Sequence, residues 1–178
     1  QFTMMDSMFM SAMAKAALVF GFLCAFAPLL AGAPAPVDLH AYWDDRCRSC
    51  HGHAGDFARR TLRVEGGLLV GKHHARAPAL QLFLKNHYLT ADLLAPVTAM
   101  LTAQATTAAL FKQHCAGCHG TAAAFARESL SWRDGVLTGK KSGRAVEATL
   151  RAHGGLAPAE AADVVKTLAR VMGEVDAK

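Results

Sequence analysis

Two runs of five residues constrain this chain more than anything else in it: Cys47-Arg48-Ser49-Cys50-His51 and Cys115-Ala116-Gly117-Cys118-His119. The only other cysteine among the 178 residues is Cys24. A C-x-x-C-H run is the pattern of c-type haem attachment. The spacing lets two thiols reach the two vinyl groups of one porphyrin, and the histidine that follows can turn its imidazole under the iron. Two copies therefore predict two covalent haems c, bound by Cys47, Cys50, Cys115 and Cys118, with His51 and His119 as proximal ligands.

Other uses of paired cysteines fit less well. A thioredoxin-like dithiol belongs in a βαβ pattern, and no such pattern surrounds either pair. A zinc site built from two C-x-x-C halves usually has them closer than the 68 residues between Cys47 and Cys115, and it has no need of a histidine after each. A disulfide framework would not call for those histidines either.

Composition sets the wider frame. The formal charge of +5 would be offset in part by haem propionates, which leaves at most an electrostatic docking surface for an acidic partner. No block of like charge or basic aromatic stretch points to nucleic acid. Lys15 precedes an apolar run from Ala16 to Leu30, broken by Gly21 and Pro28 and followed by small residues and prolines to Pro36. This reads as a secretory signal peptide or an N-terminal anchor over residues 1–36. Ala31-Gly32-Ala33 suits cleavage, although Pro34 follows directly. The run is shorter than the roughly 20 residues a spanning helix needs. Export, and hence a periplasmic setting, is the expectation, with membrane attachment only if the segment is retained.

Beyond residue 36 the chain repeats itself. Placing Cys47 on Cys115 pairs Phe57 with Phe125, Ala58 with Ala126, Arg59 with Arg127, Leu62 with Leu130, Gly67 with Gly135, Leu69 with Leu137 and Lys72 with Lys140. Thirteen of the 28 positions from 47 to 74 are identical, far above the roughly one in twenty expected of unrelated sequence. The chain thus holds a duplicated unit, with copies at 37–104 and 105–178 and a Thr/Ala-rich linker around Thr102 to Thr107.

Each copy follows one plan. A short helix carrying Tyr42 and Trp43, or Leu110 and Phe111, leads into the haem motif. A small hairpin or paired loop follows, around Glu65-Gly66-Gly67 in one copy and Asp134-Gly135 in the other. A closing helix ends each copy, over Ala91 to Gln104 and Ala159 to Val175, with apolar residues at helical spacing. Pro158 stands where a helix start tolerates proline. The expected fold is all-α, a few helices around each haem.

Helix, haem motif, loop and closing helix resemble the domain of the class I cytochromes c, and the tandem pair resembles the two-domain diheme cytochromes c of the bacterial periplasm. The resemblance covers about residues 38 to 175. In that family the second axial ligand is usually a methionine in the loop before the closing helix, and here the sequence departs from it. Met100 and Met172 fall inside the closing helices, where flexible thioethers serve as core filling. Histidine does recur in the ligand slot: Leu84-Lys85-Asn86-His87 matches Leu150-Arg151-Ala152-His153 at an offset of 66. Repeat equivalence favours His87 and His153 as distal ligands over ordinary surface residues near a helix start. His73 and His74 sit together in the loop of the first copy opposite Lys141 and Ser142 and are weaker ligand candidates, while His40, His53 and His114 also lack a histidine at the equivalent position and are read as solvated.

The resulting expectation is an electron-transfer protein with two low-potential, bis-histidine haems, no catalytic residue, and other redox proteins as partners. Two alternatives stand beside it. One is a haem enzyme or gas-binding protein with one open iron site, hinted at by Gly154-Gly155 after His153 where Tyr88-Leu89 follow His87. The other is a haem subunit of a larger membrane redox complex.

Overall fold

In a computed structural model, the structure describes residues 36–73 and 80–176. The N-terminal leader with Cys24, and His74, lie outside the described residues. Among the described residues, ten helices and two hairpins follow one another in the same order twice. In the first repeat these are α1 (Leu39–Arg46), α2 (Arg48–His51), α3 (Ala54–Thr61), the hairpin β1 (Leu62–Glu65) and β2 (Leu68–Gly71), α4 (Leu80–Leu84) and α5 (Ala91–Thr106). In the second they are α6 (Leu110–His114), α7 (Ala116–His119), α8 (Ala122–Ser129), β3 (Leu130–Arg133), β4 (Val136–Gly139), α9 (Val146–Ala152) and α10 (Pro158–Glu174). Helix predominates as expected, and the paired loops are true antiparallel hairpins.

The hairpins form where turn chemistry demands them. Glu65 pairs with Leu68 and Arg133 with Val136, so each turn has two central residues. Those are Gly66-Gly67 and Asp134-Gly135, all four at positive φ between 50° and 78°, as a tight I′ turn between right-twisted strands requires. Each hairpin is sewn to the helix before it at an equivalent point. Lys72 N–H donates to Thr61 O and Lys140 N–H to Ser129 O, both at 2.7 Å, while the two lysine Nζ groups reach the carbonyls of Arg59 and Arg127. The alternating strands then turn Leu62 and Leu69, and likewise Leu130 and Leu137, into the interior.

The apolar residues gather into two cores, one per repeat. Leu39, Trp43, Ala58, Leu62, Val97 and Leu101 lead the first; Phe111, Ala126, Leu130, Val164, Leu168 and Val171 lead the second. Met100 is fully buried in the first core, and Met172 packs partly buried against the second. Both methionines are therefore space-filling core residues, as their helical positions suggested.

The linker expectation is corrected. Residues Thr102 to Thr106 are helical, α5 running on past the boundary drawn at residue 104, and only three residues separate it from α6. Composition misled because threonine usually disfavours helix. Here the Oγ1 groups of Thr98, Thr102 and Thr106 bond back to the carbonyls four residues earlier at 2.7–2.9 Å, and buried Leu101 and Gln104 tie the last turns to the core. Pro158 is the first residue of α10 rather than the one before it.

Both repeats belong to one compact unit, joined by ionic contacts. Lys112 Nζ donates to both oxygens of Asp56 at 2.8 Å. His40, read from the sequence as solvated, is half-buried and meets the buried Glu174 at 2.8 Å. Asp38 does double duty. Its Oδ1 caps α1 by accepting from Ala41 N–H at 2.8 Å and also accepts from Arg127 Nη2 at 3.0 Å. Burial pushes the Asp38 carboxyl up, but the Arg127 hydrogen bond and charge and the Ala41 amide outweigh it and hold the group below its ordinary value of 3.8.

Because the folded-state pKa is depressed, the stabilisation by Asp38 is complete above the ordinary carboxylate range and disappears as pH falls through the lowered value. Asp38→Ala is expected to cost about 1–2 kcal/mol, from a lost N-cap and a partly exposed ion pair. Denaturant unfolding at neutral pH should read this deficit. The deficit should shrink on acidification, and Asp38→Asn, which keeps the cap, should recover the larger share. A deficit that is the same at every pH would refute the assignment to a charged contact.

Candidate cofactor site

Each C-x-x-C-H run folds as a single helical turn. Cys47 ends α1, with its N–H on Trp43 O at 2.8 Å, and starts α2, with its carbonyl accepting from His51 N–H at 2.9 Å. Cys115 and His119 repeat the pattern at 2.9 Å. Residues three and four apart share one helix face, so this turn is what puts the second thiol and the imidazole on the same side as the first thiol. Gly52 and Gly120, at φ +72° and +69°, end the turns in a conformation that glycine adopts without strain.

The four thiols are free. Cys50 and Cys118 are exposed, while burial pushes the half-buried Cys47 and Cys115 thiols above their ordinary value. No disulfide joins the motif cysteines.

His51 and His119 rest on aromatic platforms supplied by the following helix. Phe57 lies 4.7 Å from the His51 ring and Phe125 4.7 Å from the His119 ring, centre to centre. Behind them Trp43 packs on Phe57 at 5.4 Å and Phe111 on Phe125 at 5.7 Å. These separations are those of favourable aromatic pairs. Trp43 is held further by donating Nε1–H to Gly52 O at 2.9 Å. Trp43 and Phe111 are repeat equivalents, and both line one cleft of about 320 Å³ between the repeats. The identity of Phe57 with Phe125 was visible in the repeat; its purpose as a histidine rest was not.

The histidines expected to act as pairs do come together. The His51 and His87 ring centres are 6.0 Å apart with planes at 69°, and those of His119 and His153 are also 6.0 Å apart, at 76°. Two imidazoles bound to opposite sides of one first-row metal, with nitrogens at about 2.0–2.1 Å, have ring centres roughly 6 Å apart. Burial, and secondarily the nearby His87, keep His51 below its ordinary pKa. That favours the neutral imidazole, which is the ligating form.

Among the described residues no three His, Cys, Asp or Glu side chains gather around one point. The zinc site weighed above would need four protein donors. An iron that brings four equatorial nitrogens of its own needs two, and each repeat presents two. In the second repeat the pair faces an open cleft of about 1020 Å³, bordered by Cys115, Cys118, His119, His153, Lys141 and Arg144, at the upper end of the 300–1,000 Å³ usual for cofactor sites. Thiols and imidazoles in both repeats, and space in the second, thus fit a haem c, with the cations at that rim suited to its propionates.

Of the weaker candidates, all but His114 lie away from the histidine pairs among the described residues. His73 is exposed, His53 stands 4.0 Å from Asp44 at the surface, and His40 joins the repeats. His114 borders the second cleft and has no counterpart in the first repeat. Among the described residues no helix is long and apolar enough to cross a membrane. No protein-family model matches this chain, and neither a curated protein nor a solved structure matches it.

Proposed function

We propose that this chain is an exported electron-transfer protein carrying two covalent haems c, a tandem of cytochrome c-like domains. The first haem is attached to Cys47 and Cys50 with His51 and His87 as axial ligands. The second is attached to Cys115 and Cys118 with His119 and His153. The observation that carries the reading is the recurrence of one geometry: histidines 36 and 34 residues apart in sequence, meeting at 6.0 Å in both repeats. Solvated surface histidines would have no reason to meet, still less to do so twice.

The haem supplies a reversible one-electron iron couple, and the protein tunes it through ligand, burial and orientation. Paired imidazoles favour the ferric state relative to a His/Met pair, which raises the potential, so both centres are of low potential. Phe57 and Phe125 fix the planes of the proximal rings. Trp43 and Phe111 bring the proximal sides of both sites to one shared cleft, which favours passage of charge between them. Entry and exit then go through exposed haem edges to other redox proteins, in a periplasmic setting.

The test is the absorption spectrum of the purified holoprotein with a pyridine haemochrome count. Two haems per chain, both low-spin when oxidised and without the charge-transfer band of a methionine-iron bond, are expected. Fewer than two haems, or a methionine band, would overturn the reading.

A further inference from the structure

The two histidine pairs share a spacing but not a hold on their second member. His87 is gripped on several sides. Its ring lies 4.7 Å from Phe83 and 5.0 Å from Tyr88. Its N–H donates to Leu84 O at 3.0 Å, and the next residue, Tyr88, accepts from Tyr42 Oη–H at 2.7 Å. Tyr88 sits at φ +59°, a conformation costly for a bulky residue and kept only where the surroundings enforce it.

His153 has none of this among the described residues. The positions equivalent to Phe83 and Tyr88 are Thr149 and Gly154, no aromatic ring flanks it except its partner His119, and no backbone bond returns it to Leu150. It is exposed where His87 is half-buried. Gly154 and Gly155 follow at φ +100° and +60°. Crowding does not require either glycine: a Cβ at Gly154 would meet only Leu156, at 3.8 Å, and one at Gly155 nothing within 4 Å. Their positive φ is what calls for glycine, so neither residue lends His153 a side-chain contact of the kind Tyr88 gives His87.

Resting on the two-haem reading above, we infer that the second repeat is a binding site for a small neutral diatomic ligand of ferrous haem, with His153 as an exchangeable sixth ligand and His87 as a locked one. With haem bound, His153 would give up the position it holds through its nitrogen lone pair, and the incoming molecule would hold that position with a lone pair of its own. The iron keeps its oxidation state and no proton is transferred. The first repeat remains an electron carrier that can reduce the second.

Carbon monoxide is the probe, titrated into the dithionite-reduced full-length holoprotein with haem counted in parallel. The wild type should bind one carbon monoxide per two haems. His153→Ala should still bind one, because that site already opens, whereas His87→Ala should bind two. The double change Phe83→Thr, Tyr88→Gly removes two ring contacts from His87, and should tighten carbon monoxide binding at the first site by about tenfold or more. A wild type that binds none or two overturns the inference, as does a rise from one to two in His153→Ala. A haem count below two overturns the underlying reading instead, whatever the gas titration gives.

Discussion

Replacing Cys115 and Cys118 together by serine is expected to reduce covalent haem from two per chain to one, with the first site still loaded. In the proposed sites thioether bonds would be the only covalent hold on each haem, and serine oxygens cannot make them. The repeats have separate cores, so the first should fold around its own haem while the second loses the stabilisation a tightly bound group lends to the native state. A pyridine haemochrome count and the intact mass of the chain, made in cells competent for cytochrome c maturation, would show the change. The mirror variant Cys47→Ser, Cys50→Ser should leave the other haem. Retention of two haems in either variant would sink the attachment sites, and with them the function proposed above.

The second large effect concerns the distal histidines. His87→Ala and His153→Ala should each turn one of the two ferric haems from low-spin to high-spin, half of the total haem signal, because each removes the histidine ring that lies 6.0 Å from His51 or His119. His87→Met offers the sharper contrast. It should restore a six-coordinate low-spin centre of higher potential, by on the order of 0.1 V within the ~0.8 V that axial ligands span. Spectroelectrochemistry of the three variants reads all of this. If His87→Ala and His153→Ala leave spectrum and potential unchanged, the distal ligands are other residues.

The fold was legible where local chemistry dictates it. Gly66-Gly67 and Asp134-Gly135 announce two-residue hairpin turns, and the apolar spacing of Val164, Leu168 and Val171 announces the helix that buries them. The same local reading failed at Thr102 to Thr106, whose composition suggests a linker. Backbone-directed hydroxyls and the burial of Leu101 and Gln104 make that stretch the end of α5, as tertiary packing overrides a weak propensity. His40 was misread for a similar reason: its partner Glu174 lies 134 residues away, so no local pattern could show that it bridges the repeats.

The sequence by itself determined which residues form the thiol and first-histidine half of each proposed site, because Cys47, Cys50 and His51, or Cys115, Cys118 and His119, share a face by the pitch of one helical turn. It also carried the duplication, and through it the nomination of His87 and His153. Only the tertiary structure decided that those histidines meet His51 and His119 at equal distance, since that depends on how hairpin, short helix and closing helix fold back over the motif. It alone decided the inequality between the pairs as well. The ring of Phe83 reaches His87 from α4, and Tyr42 of α1 holds the carbonyl of the neighbouring Tyr88, contacts that exist only once the chain has closed.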